Sequence, residues 1–79
     1  MGTLEHHQEI FRQIGQRIAY YRKRKCLSQA QLAKQVGISV SYMSKIERAD
    51  LDSFAVITLL DIADALEVSP HAFLAPEGY

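Results

Sequence analysis

The chain offers little for bond-making chemistry. Its single cysteine, Cys26, excludes an internal disulfide framework and fits a reducing compartment. His6 and His7 stand side by side without the C-x-x-C or H-x-x-x-H spacing that a closed metal site needs. The sequence has no nucleophile–base constellation, no paired acids in a pocket-forming context and no glycine-rich phosphate loop, so an enzyme is rejected and neither metal nor cofactor is expected. The chain concentrates instead groups that recognise without reacting. In Gln29 to Arg48, QAQLAKQVGISVSYMSKIER, the residues Val40, Ser41, Ser44 and Lys45 share one side of a short periodic stretch, and Met43 and Ile46 the other. Hydroxyls, an ammonium and a small apolar side chain make a face too polar and too small for core; its chemistry is hydrogen bonding and charge pairing.

Two short helices must position that face. Ser28 is placed to cap the first, and Gln31 three residues later completes an S-x-x-Q capping box. Leu32 and Val36, four apart, give this helix an apolar side, and Ala33 is small where a second helix must cross closely. Gly37 ends it, since glycine enters the left-handed conformation at least cost. Ser39 can cap the next helix, with Met43 and Ile46 pointing inward. A short helix, a glycine turn and a second helix with an exposed face read as a helix-turn-helix.

These residues resemble the repressor/Cro-like (XRE-type) helix-turn-helix regulators of bacteria and phages. The pattern carrying the resemblance is Gln29, Leu32, Ala33, Val36, Gly37, Ile38, Met43 and Ile46 at fixed offsets over twenty residues. Outside it, IGQRIAYYRKRKCLSQ is similar to the family's first helix and LLDIADALEVS to its fourth, so the likeness covers about residues 14 to 74. It implies an all-α, five-helix repressor-like domain occupying all 79 residues, with 1–8 either a frayed end or part of the first helix and 76–79 a tail.

The rest of the chain fits that frame. Ile10, Ile14, Ile18 and Tyr21, broadened by Phe11, predict an amphipathic helix from about Glu9 to Lys25, with Thr3 as a cap if the helix reaches further back. After the motif, ADLDSF is a polar loop. Ser53 is placed to cap a helix from about Ala55 to Glu67, whose Val56, Leu59, Leu60, Ile62, Ala63 and Leu66 make it the central core element wrapped by the others. Ser69-Pro70 opens a last short helix holding Phe73 and Leu74. Apolar runs fall far short of the ~20 residues that cross a bilayer and no secretory signal opens the chain, so a cytoplasmic protein without membrane contact is expected.

Formal net charge is zero, yet all nine basic residues lie between Arg12 and Arg48 against one acid, Glu47. Six acids follow that stretch and two precede it. The excess of cations coincides with the helix-turn-helix, as expected for a nucleic-acid partner.

The resemblance assigns roles by position. Ser39, Val40, Ser41, Ser44 and Lys45 would read base edges in the major groove of double-stranded DNA, Lys45 at guanine and Val40 at a thymine methyl. Gln29, Lys34, Tyr42, Arg48, Arg24 and Lys25 would meet phosphates; Tyr42 has helix packing as an equal alternative. Arg22 and Glu47 would form a partly buried structural ion pair. Cys26 stands where the family usually has glycine, as either a reactive thiol or a small half-buried side chain. The family's glycine after the Glu47 position and its proline at Phe54 are absent, and Asp50 and Asp52 would repel phosphate. A homodimer on two half-sites is implied, with Phe73, Leu74 and Tyr79 as interface candidates and core closure as the alternative for Phe73. A sequence-specific transcriptional regulator is the leading reading; an antitoxin with its toxin, or a protein-interaction adaptor on the same fold, is the other.

Overall fold

A computed structural model describes residues 3–51 and 53–74. Among those residues four α-helices follow in order, α1 Thr3–Arg24, α2 Gln29–Val36, α3 Val40–Arg48 and α4 Val56–Leu66, and a 3₁₀ turn, Pro70–Phe73, comes after them. Among the described residues there is no strand.

One device ends all four helices. Each runs into a residue with positive φ: Cys26 at 59°, Gly37 at 90°, Ala49 at 58° and Glu67 at 60°. The next amide folds back to a carbonyl five residues earlier: Leu27 to Arg22 at 3.1 Å, Ile38 to Ala33 at 3.0 Å, Asp50 to Lys45 at 2.8 Å and Val68 to Ala63 at 3.0 Å. These are Schellman closures, which satisfy carbonyls that a helix end leaves open. Glycine occupies one of the four sites; the other three carry a Cβ in a region that disfavours it.

The core is built from one side of each helix. Ile14 and Ile18 of α1, Leu32 and Ala33 of α2, Met43 and Ile46 of α3, and Ile62, Ala63 and Leu66 of α4 are buried. Phe73 closes the cluster at 0% exposure. Enclosing each large side chain contributes roughly 1.5–3 kcal/mol against its exposed state. Gly15 lets α1 lie directly on α3: a Cβ there would sit 2.5 Å from the Glu47 carbonyl oxygen and 2.6 Å from that of Ile46.

Several expectations are corrected. A fifth α-helix is replaced by the 3₁₀ turn, because Phe73 must enter the core within one turn of Pro70; Ala72 and Leu74 donate to Ser69 and His71, three residues back, at 2.9 Å each. Of the two readings of the N-terminal stretch, residues 3–8 take the helical one and continue into α1, with Gln8 bonded across to the Ala49 cap of α3. Residues 1, 2 and 76–79, Tyr79 among them, lie outside the described residues. Ile10 is 41% exposed, and Phe11 packs inward in its place. Ser53 does not cap α4; Ala55 is the N-cap, without a side-chain bond. Nor is α4 wrapped by the others: Val56 is 70% exposed, Ile57 62% and Leu60 41%. Apolar on almost every side, it meets neighbours on only one.

Candidate nucleic-acid interface

The site is α3 and what holds it. The turn Gly37-Ile38-Ser39 delivers the chain from α2 into α3, and the Ser39 hydroxyl accepts from the Tyr42 amide at 3.0 Å. That bond takes a lone pair of Ser39 and leaves its proton able to donate. Behind α3, Met43 and Ile46 are 0% and 1% exposed. In front, Val40 is 49% exposed, and Ser41, Lys45 and Arg48 are exposed too. Ser44 is half-buried and accepts from Arg48 Nη1 at 2.9 Å.

Glu47 joins three helices beneath this face. Arg22 Nε donates to Glu47 Oε2 at 2.7 Å and Nη2 to Oε1 at 3.1 Å, while Nη1 donates to the Leu27 carbonyl at 2.8 Å. Gln29 Nε2 adds a bond to Glu47 Oε1 at 2.9 Å. The Arg22 and Glu47 side chains are 11% and 6% exposed, so the pair is mostly withdrawn from water. The forked guanidinium matches the carboxylate, which gives the contact direction as well as strength. Gln29 therefore anchors α2 to α3 with one amide hydrogen, whatever its other donors do.

The remaining cations divide. Lys34 and Lys45 are exposed and, among the described residues, face no carboxylate. Arg48 meets Asp50 at 3.4 Å in an open contact of the kind that contributes little. Arg24 donates to the Tyr20 hydroxyl at 3.0 Å and lies over its ring, a hydrogen bond that raises the guanidinium's pKa further. Lys25 reaches Glu67 at the end of α4, 3.1 Å away. Arg12 pairs with Glu9, and Arg17 is buried. The concentration of positive charge in sequence is thus partly neutralised in space. Tyr42 packs against the core while half-buried. Cys26 is exposed rather than half-buried. Phe73 is core and Leu74, at 50%, surface.

Two residues outside the expected set help set α3: Gly15, through the close approach described, and Gln8, whose Nε2 donates to the Ala49 carbonyl at 2.9 Å. Neither carries a local signature in the sequence. Among the described residues, no group of three His, Cys, Asp or Glu side chains is placed to hold a metal ion, and no helix is long and apolar enough to cross a membrane.

A small α-helical domain with a buttressed, outward-facing helix after a glycine turn belongs to the helix-turn-helix class. The family described as Helix-turn-helix matches residues 18–73, and the chain is a member of it, of the repressor-like XRE type. It is 41% identical over 61 residues to the HTH-type transcriptional regulator SinR of Bacillus subtilis, covering 77% of this chain and 55% of SinR. It thus spans about half of that relative's length. The uncharacterized HTH-type transcriptional regulator YazB of Bacillus subtilis is 44% identical over 64 residues, covering 80% of this chain and 90% of YazB. Among solved structures, that of the master regulator for biofilm formation SinR in complex with DNA superposes with a TM-score of 0.74 at 40% identity, covering 78% of this chain and 98% of that one.

Proposed function

We propose that this chain is a sequence-specific DNA-binding transcriptional regulator. One observation carries the reading: α3 is locked from behind by Arg22, Gln29 and Glu47 while Val40, Ser41 and Lys45 stand free in front. A helix held this way can enter a major groove without rearranging, so little ordering cost opposes binding. Ser39, Val40, Ser41, Ser44 and Lys45 read base edges. Lys34, Arg48 and the amides opening α2, with Gln29 beside them, meet phosphates. SinR's solved complex with DNA supports a DNA partner for this fold.

The active form is a homodimer, since one module buries too little surface for tight specific binding. Its interface is the bare N-terminal half of α4, Val56, Ile57 and Leu60, with Leu74 from the C-terminal candidates; Phe73 is core and Tyr79 lies outside the described residues. The domain measures 38 × 29 × 19 Å. Two copies touching through this face must set their α3 helices ~34 Å apart to meet half-sites on one face of a duplex. A contact at the N-terminal half also leaves the acidic second half of α4, Asp61 and Asp64, with its cap Glu67, outside the contact.

The same bare face favours a second reading, in which it holds a different protein, such as a toxin. Sedimentation of the purified chain separates the two: self-association supports the homodimer, and a monomer that co-purifies with another protein supports the other. Selection from a random duplex pool tests the primary reading, which expects an enriched two-part site; recovery of unrelated sequences overturns it.

A further inference from the structure

The family match begins at residue 18, so the first four turns of α1 lie ahead of it. Gln8 is half-buried and donates to the Ala49 carbonyl at 2.9 Å. Phe11 meets Phe54 ring to ring, centroids 6.3 Å apart and tilted 45°. Gly15 lays α1 on the last carbonyls of α3. Residues 8, 11 and 15 follow at three- and four-residue steps, so they share one helix face. All three contacts land on the end of α3 or on the linker that leaves it.

That linker has little local support. Among the described residues, 49–51 and 53–55 are irregular backbone, opening with Ala49 in the left-handed region at φ 58° and closing on Ala55, an N-cap without a side-chain bond. Its Asp50 carboxylate contact with Arg48 is solvent-exposed and 3.4 Å long. The two surfaces of the proposed function, the front of α3 and the bare face of α4, are joined by this segment.

We infer that Gln8 and Phe11 are positioning residues, bracing the link from α3 to α4 at Ala49 and Phe54 and so fixing the angle between the reading helix and the docking face. The consequence for DNA rests on the proposed reading of α3; the bracing itself does not. Gln8→Met keeps the side chain's length and removes its donor, and Gln8→Lys restores a donor to the Ala49 carbonyl. Phe11→Ala would also hollow the core, so the Gln8 pair carries the test.

Amide hydrogen exchange in the full chain reads the brace. The Asp50 amide, bonded to the Lys45 carbonyl at 2.8 Å, exchanges roughly fivefold faster in Gln8→Met, the size expected for one lost hydrogen bond. In Gln8→Lys it stays near wild type, and the Gly37 and Ile38 amides change in neither. On DNA, the preference for a pool-selected duplex over a scrambled one falls about as much in Gln8→Met, with an unchanged salt slope, and recovers in Gln8→Lys. Equal Asp50 exchange in wild type and Gln8→Met overturns the brace. Faster exchange with an unaltered preference overturns its link to reading. A wild-type chain that prefers no duplex sinks the proposed function, while exchange still decides the brace.

Discussion

Cys26, Ala49 and Glu67 each hold a backbone conformation that their Cβ opposes, and each does so to close a helix. Cys26 is the cleanest place to measure the cost, being exposed and at a turn whose hydrogen bonds do not involve its own side chain. Cys26→Gly should raise stability by about 1 kcal/mol, or some 4–8 °C in Tm for a domain this small, as read by thermal denaturation. An unchanged or lower Tm would mean that the turn is not strained. The opposite change, Gly15→Ala, meets the fixed carbonyls of α3 and should cost roughly 1–3 kcal/mol or more in chemical denaturation. Arg22 and Glu47 should couple strongly. Removing either alone strands a charge at low exposure, so the double replacement by leucine should be less destabilising than the sum of the singles. Additive losses would show that the pair contributes nothing as a pair.

At the level of elements, hydrogen-bonding habits and spacing carried most of the information. Ser28 and Gln31 predicted a capping box that is present in full, and Gly37 and Ser39 bracket the turn as their conformational preferences require. The pairing of Arg22 with Glu47, implied by resemblance, has the geometry of a forked ion pair. Features that depend on neighbours were not legible. The apolar residues of α4 predict burial but not which side receives a partner, so Val56 and Leu60 read as core. Ser53 could have capped α4, yet the chain delays the helix to Val56. Gln8 and Gly15 act across about thirty to forty residues, beyond any local pattern. The bare face of α4 carries its own prediction. Leu60→Glu should leave the stability of the monomer within about 0.5 kcal/mol, because the side chain is already 41% exposed, while abolishing self-association in sedimentation. Loss of folding would return Leu60 to the core.

Across the whole molecule, a net charge of zero conceals a division of labour. Arg12, Arg22 and Lys25 are engaged by carboxylates, Arg17 is buried and Arg24 is held by Tyr20, which leaves Lys23, Lys34 and, through an open contact, Arg48 to meet phosphates beside the base-reading Lys45. A dimer touching about six phosphates should then show a log–log salt slope of roughly −5. A flat dependence would deny the surface any role in phosphate binding. The most direct test of α3 as the reading helix compares Lys45→Ala with wild type on two duplexes at one salt concentration, the pool-selected site and a scrambled sequence. Base reading predicts a loss of about 1–3 kcal/mol on the selected site and a far smaller one on the scrambled duplex. An equal loss on both, or none on either, would contradict it.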